Sequence, residues 1–337
     1  MFHANLNTMR IIQKEEWARY PFAYNGCFGV SCNKKLIIGG GSYSNGQSTM
    51  KVYEESDSSS HQFKSTMPLN YGRTGASAVF SRWHRKLIIA GGTSTYLDNY
   101  TLYDLRNVEL LDTTPSSPYS SSLESNRWIA CKDKIPGIFG AIVEVFALKD
   151  KIILDDVENS KIYEGTIIDD PANNGTIQVG RYKWTPVPAC TIVWASFPAM
   201  NEPRYNHTLI VLGDRLLLCI GGHSVSSEEC VRTCEYFSYE TMTWHIGPEL
   251  PFCLQQAHIL ALDDEDEGED TTNLRCIIIG GKRDHTTSPT LSLFDLEKGD
   301  IVNFKGTLDT KYALKESMLS SIKQVVGGPN RHVAVLL

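Results

Sequence analysis

The chain has 337 residues, 42% hydrophobic and 21% charged, with a formal net charge of −7; it can bury a large core but lacks the basic surplus that binding nucleic-acid phosphates requires. No run reaches the roughly 18 apolar residues of a membrane span. The opening "MFHANLNTMRIIQKEEW" lacks the basic, apolar and small-residue segments of a secretory signal, so a cytoplasmic protein is expected.

In chain order, "NTMRIIQKEEWARYPF" reads as an outer strand carrying Trp17, and "YPFAYNGCFGVSC" as a turn and a strand. "LIIGGG" at Leu36 to Gly41 follows, an apolar run stopping at glycines, then "KVYEE" with Tyr53, then an aromatic at Phe63. The same order returns as "MPLNYGRTGASAVF", "LIIAGG" (Leu87 to Gly92), "TLYDL" with Tyr103, and Trp128. A third pass, "DKIPGIFGAIVEV" and "KIILDD" (Lys151 to Asp156), has Asp155 and Asp156 where the glycines should stand, with Trp184 as its looser aromatic match. The fourth is "AMNEPRYNHTLIVL", "LLLCIGG", "CEYFSY" with Phe237, and Trp244; the fifth is "LPFCLQQAHILAL", "CIIIGG", "LSLFDL" with Phe294, and Phe304. The tail "KESMLSSIKQVVGGPNRHVAVLL" has room for a first and second strand of a further unit.

Counted from the first glycine of each pair, 52 residues separate Gly39 from Gly91 and 59 separate Gly221 from Gly280, while the gap of 130 between is divided at Asp155 into 64 and 66. A period near 50 residues with this signature indicates propeller blades. Runs of Ile, Leu and Val that stop abruptly suit strands buried on both faces, and paired glycines permit a backbone turn closed to other residues. Four strands per unit make one blade.

The order Pro-x-x-x-x-Arg, apolar strand, apolar run ending in Gly-Gly, then Tyr, then Trp resembles the kelch repeat, and the resemblance spans nearly the whole chain. It implies an all-β fold: a single domain over residues 1–337, a six-bladed kelch β-propeller closed by strands from both termini, which removes an open sheet edge. The WD alternative fits poorly, since the period is too long and no Trp-Asp dipeptide occurs. In kelch propellers the loops after Gly-Gly and the loops leading into the first strand emerge on one face, which usually binds the partner. Carried over by position, that face holds Tyr43, Asn45, Thr93, Tyr96, His223, Arg283 and His285 from the former loops, and Tyr71, Arg73, Arg204 and Asn206 from the latter. Tyr and Arg often dominate interface energy. Arg73 and Arg204 also occupy the repeat's own arginine position, where pairing with carbonyls or carboxylates inside the ring is an equal reading.

Catalytic signatures are absent from the sequence: there is no H-E-x-x-H, no phosphate-binding G-x-x-x-x-G-K-[ST], no G-x-G-x-x-G and no C-x-x-C. The nine cysteines, an odd number, suit a reducing compartment. Cys27 with Cys32 and Cys230 with Cys234 come nearest to metal spacing, but no His pair accompanies them, so they read as structural and neither metal nor cofactor is expected. The acidic run "DDEDEGED" at Asp263 to Asp270 reads as a solvated loop. The expectation is a non-enzymatic scaffold for protein contacts that takes an acidic or aromatic segment and binds neither nucleic acid nor membrane. It would serve as a substrate-recognition module for a ubiquitin ligase or as a cytoskeletal adaptor. The alternative is a small-molecule enzyme with its site at the channel mouth.

Overall fold

The computed structural model describes residues 2–5, 10–13, 25–32, 35–43, 46–57, 62–95, 102–104, 106–113, 128–131, 134–137, 143–168, 174–179, 183–212, 215–261, 275–279, 281–283, 286–287, 291–296, 300–303, 324–328 and 332–336. Every regular element among them is a β-strand. The chain divides into two compact units, one of Trp17–Asp156 with Lys161–Phe197, the other of Met1–Glu16, Val157–Ser160 and Pro198–Leu337.

Strands β1 (Phe2–Asn5) and β2 (Arg10–Gln13) form an opening hairpin. In the first unit, β3 (Asn25–Cys32), β4 (Lys35–Ser42), β5 (Val52–Asp57) and β6 (Gln62–Ser65) then make an antiparallel sheet in chain order. β7 (Ser77–Ser81) and β8 (Lys86–Ala90) begin the next sheet, and the short hairpin β9 (Thr93–Thr95) and β10 (Leu102–Asp104) rises from the glycine turn. That hairpin contains Tyr103, so "TLYDL" is not the third strand of its sheet. The strand paired with β8 is β11 (Val108–Asp112), followed by β12 (Trp128–Cys131). "VELLD" alternates no better than "TLYDL"; it takes the place because all but one of its residues are buried.

β13 (Val143–Leu148), β14 (Lys151–Asp156), β15 (Lys161–Ile168) and the end of β17 (Lys183–Ser196) form the third sheet, with β16 (Asn174–Val179) paired to the start of β17. Trp184 therefore lies on the β16 hairpin, and Trp194, opposite Gly165, is the outer-strand aromatic. A two-pair parallel contact between β12 and β17 joins this sheet to its predecessor. Asp155 and Asp156 do not distort the sheet: β14 pairs through Asp156↔Lys161, and a tight turn at 157–160 replaces the glycine loop.

The second unit repeats the arrangement. β18 (Arg204–Tyr205) and β21 (His223–Ser224) pair at the loop end of a sheet of β19 (Thr208–Leu212), β20 (Leu216–Ile220), β22 (Thr233–Ser238) and β23 (Thr243–Glu249). β24 (Leu254–Gln255), β27 (Lys282–Arg283) and β28 (Thr286–Thr287) do the same beside β25 (His258–Ala261), β26 (Arg275–Ile279), β29 (Leu291–Asp295) and β30 (Asp300–Asn303). Finally β31 (Gln324–Gly328) and β32 (His332–Leu336) join the opening hairpin in the order β2-β1-β32-β31. Both termini thus build one four-stranded sheet. The amino end supplies two strands rather than the single outer one expected, and Trp17 lies outside the described residues.

Among the described residues, most of the apolar run in each second strand is buried; Leu87 to Ala90 and Leu217 to Ile220 are all at most 1% exposed. Apolar contacts fall between successive sheets: one cluster joins Phe28 and Ile37 to Leu87 and Trp128, another Ile88 and Leu110 to Val143 and Ile152, and a third Leu218 and Cys234 to Ile259 and Cys276. The paired glycines take left-handed backbone at Gly91 and Gly92 and at Gly221 and Gly222. In the first repeat the equivalent pair is Gly40 and Gly41, one residue later than the sequence count assumed, while Gly39 does not take left-handed backbone and has room for no side chain against Phe28.

Candidate functional site

Arg73 and Arg204, each in the loop leading into a first strand, are 0% exposed. Arg73 donates from Nε to Glu109 Oε1 (2.9 Å) and from Nη1 to the carbonyls of Gly91 (2.9 Å) and Asn107 (3.0 Å). Arg204 reaches Glu235 Oε1 (2.5 Å) and the carbonyls of Thr233 (2.6 Å), Glu202 (3.1 Å) and Gly221 (3.4 Å). The second oxygen of each glutamate accepts the backbone N–H of Asn70 (2.7 Å) or Asn201 (2.8 Å). Those asparagines donate from Nδ2 to the carbonyls of Trp128 and Trp244, whose indoles bind back to the carbonyls of Met67 and Pro198. The two repeats therefore carry the same clamp. It ties the leading loop, the glycine turn, the third strand and the outer strand together, with the guanidinium buried inside it. Of the two readings open for these arginines, burial selects the internal one, and neither presents its charge to a partner.

Glu109 and Glu235 escaped the sequence reading, yet a signal was there. Glu109 pairs with Ile89 and Glu235 with Cys219 at the same place in the sheet. In the other three repeats that place holds Tyr53, Tyr163 and Ser292, and none of those repeats has an arginine at the corresponding loop position. The acid occurs only where the base occurs, because either alone would be an uncompensated buried charge.

The loops themselves are bridged. Gly75 N–H donates to Gly26 O (2.8 Å), and Gln256 N–H to Asn206 O (3.1 Å); all four residues have positive φ. Asn206 is a left-handed linker between neighbouring repeats, a conformation that asparagine tolerates better than most residues, and its own N–H reaches Val157 O (3.3 Å). Gly41 N–H donates to Arg73 O and Gly222 N–H to Leu254 O, so each glycine turn is also stitched to the next leading loop.

Above these stitches stand the residues that are partly accessible. In the first unit Tyr43 is half-buried in a turn closed by Gln47 O, with Lys51 Nζ 6.0 Å from its ring centre. Tyr71 stacks over the Arg73 guanidinium at 5.7 Å, and Ser48, Thr74 and Thr93 are hydrogen-bonded together nearby. In the second unit His223 stacks on Tyr205 (5.4 Å, 20° between planes) and bonds Glu228 O through Nδ1 (3.2 Å). Arg283 lies in β27 opposite Leu254. Asn45, Tyr96, His285 and the acidic run at 263–270 lie outside the described residues.

Cys230 is not paired with Cys234, which is buried in β22; it forms a disulfide with Cys253, Cα to Cα 5.8 Å, stapling the loop after His223 to the next leading loop. Burial pushes the Cys32 thiol up to about 12, with Glu54 adding to it; burial raises Cys234 to about 12 and Cys276 higher still. Such thiols are poor nucleophiles and poor ligands. Among the described residues no three His, Cys, Asp or Glu side chains are grouped to hold a metal ion. The accessible groups are hydroxyls, amides and aromatic rings on braced loops, an arrangement suited to recognition.

Residues 203–251 match the Kelch motif. That span contains Arg204, the glycine turn, Glu235 and Trp244, the same set that makes the clamp. No curated protein matches the chain.

Proposed function

With a kelch motif at residues 203–251 as the premise, we propose that the chain is a six-bladed kelch propeller, one domain over residues 1–337, that binds other proteins through its loop face. The motif carries this reading, because kelch motifs generally mediate protein–protein contacts. Four four-stranded sheets, one of them drawn from both ends of the sequence, and a nine-stranded sheet in which two parallel pairs between β12 and β17 link β7-β8-β11-β12 to β13-β14-β15-β17, support the blade number. Tyr43 and Tyr71 in one unit, and His223 with Tyr205 in the other, are the contact residues, and the clamped arginines position them. Tyr96, Asn45, Arg283 and His285 join the surface by their place in the repeat. The partner segment is acidic or aromatic, matched to tyrosine rings and cationic side chains.

Affinity capture with Tyr43→Ala and His223→Ala together tests this: the principal interactor is lost while the melting temperature stays close to that of the unaltered protein. Retention of the interactor by that variant would refute the assignment of the face. Whether a cullin-ligase component or a cytoskeletal protein is recovered separates the two cellular roles proposed. Closure has its own test, since removing residues 1–13 deprives β32 of its neighbour and should sharply lower thermal stability.

A further inference from the structure

Cys230 and Cys253 occupy a place that recurs in the first unit. There Ser42 bridges Ser48, Thr49 N–H donates to Gly41 O (2.8 Å), Leu69 N–H to Met50 O (2.8 Å) and Gly41 N–H to Arg73 O. In the second unit His223 bridges Cys230, Val231 N–H donates to Gly222 O (2.9 Å), Leu250 N–H to Arg232 O (2.7 Å) and Gly222 N–H to Leu254 O (2.8 Å). Bond for bond, Cys230 stands where Ser48 stands, and Cys253 where Gly72 stands. A Cβ added to Gly72 would lie 3.3 Å from Ser48 Cβ. The backbone pairing alone thus brings the two positions near the Cβ separation of a disulfide, about 3.5–4.5 Å. At the first junction the loops keep this register with a hydrogen bond between Ser48 Oγ and Thr74 Oγ1 (3.0 Å) in place of a covalent link. The disulfide of the second unit is therefore added to a junction that holds its register without one.

What the bond adds is a hold on the hairpin at 223–230. Its tip, 225–229, is exposed, and Glu228 is kept at a positive φ of 58°, a backbone that few residues other than glycine adopt. Ser224 N–H donates to Glu229 O (2.8 Å) and Glu228 N–H to Ser224 O (3.0 Å) to close it. Cys230 is directly across from His223, so the disulfide anchors the strand that carries the His223–Tyr205 stack to the next leading loop. Both of its residues are half-buried, whereas Cys32, Cys131, Cys190, Cys219, Cys234 and Cys276 are buried. Accessible disulfides are the ones that exchange with thiols. We propose that Cys230 and Cys253 are a reversible dithiol–disulfide couple, reduced by low-molecular-weight thiols, that pins this hairpin when oxidised and loosens it when reduced. Resting on the reading of His223 and Tyr205 as contact residues, the couple makes the grip of the loop face on its partner depend on redox state. A thiolate RS⁻ attacks one sulfur, the S–S bond breaks to leave a mixed disulfide, and the released cysteine takes a proton. A second thiol attacks the mixed disulfide, frees the other cysteine as a thiol and departs as RSSR. In sum the pair gains two electrons and two protons from two RSH. The backbone bonds of Gly222 and Leu250 keep the two thiols in register, so RSSR runs the sequence backwards.

The test titrates the intact protein with reduced and oxidised glutathione at graded ratios, blocks thiols with iodoacetamide and reads each cysteine by mass spectrometry. Cys230 and Cys253 should open and close together and reversibly, while Cys32, Cys234 and Cys276 stay unlabelled. Circular dichroism establishes that the reduced protein is folded. On reduction, hydrogen exchange at the Ser224 and Glu228 amides should quicken about fivefold or more, the lower end of the coupling between linked sites, with the Gly222 amide unchanged. Cys230→Ser with Cys253→Ser should behave as the reduced form in every buffer. The interactor that Tyr43→Ala with His223→Ala loses should bind the oxidised protein about fivefold or more tightly than the reduced one. A pair that resists glutathione until urea unfolds the chain is a permanent staple and overturns the proposal, as does equal hydrogen exchange in the two states. Equal binding of a His223-dependent interactor by both forms leaves the loop face standing and sinks the switch. A pair that titrates and loosens the hairpin, with no interactor dependent on His223, upholds the couple and overturns the face instead.

Discussion

Replacing Arg204 with Met probes the clamp most directly. The substitution keeps much of the side-chain volume but removes a guanidinium with four acceptors, leaving Glu235, 1% exposed, with its charge unanswered. Breaking a buried pair by deleting one partner costs about 3–5 kcal/mol. The backbone N–H groups of Asn201 (2.8 Å) and Glu202 (3.0 Å) still hold the carboxylate in Arg204→Met, but Glu235→Leu strips them of their acceptor, at about 1–3 kcal/mol each. The double variant removes both charges; the carbonyls of Glu202, Gly221 and Thr233 lack their donor in it as in Arg204→Met, and the two N–H groups lack their acceptor as in Glu235→Leu. Only the two uncompensated charges disappear, so its cost should fall below the sum of the single costs by at least about 2 kcal/mol. Urea titrations of the wild type, both singles and the double, followed by circular dichroism and tryptophan fluorescence, give the cycle. A single-variant cost under about 1 kcal/mol, or additivity across the cycle, would show that the pair does not hold the repeat together.

Gly221→Ala should cost about 2–4 kcal/mol, combining left-handed strain with overlap of the new Cβ on the Leu254 carbonyl oxygen. Gly46→Ala, also at positive φ but with nothing near its Cβ, should cost about 1–2 kcal/mol; equal costs in urea melts would remove the close approach from the account. Reducing the Cys230–Cys253 disulfide, which spans 23 residues, should destabilise by about 3 kcal/mol, read as a lower melting temperature with reductant that Cys253→Ser reproduces. Alkylation of the native protein at mildly alkaline pH should mark the half-buried Cys27 and spare Cys32, Cys234 and Cys276, whose burial keeps them protonated. Unfolding frees those protons, so their contribution to stability declines as pH rises past the unfolded thiol value of about 8.5; rapid labelling of Cys276 in folded protein would contradict the burial.

The repeat was legible in the chain because its strongest signals are local. Leu87 to Ala90 must be a strand buried on both faces, since nothing polar interrupts it, and Gly91 with Gly92 must end it, since a backbone with φ of 67° and 79° suits few other residues. Pairing over longer distances was not legible. "TLYDL" and "VELLD" are both acceptable third strands, and only the contact of Val108 and Leu110 with the neighbouring sheet decides between them. The two arginines show the limit most clearly. Sequence places Arg73 and Arg204 in a loop, where a charged side chain is ordinarily solvated, and the glutamates that bury them stand 36 and 31 residues away in another strand. Charge pairing across such a separation depends on which strands lie side by side. Tertiary structure alone chose between the two readings open for these arginines, surface contact and internal brace, because a buried guanidinium is stable only where a carboxylate and several carbonyls converge on it.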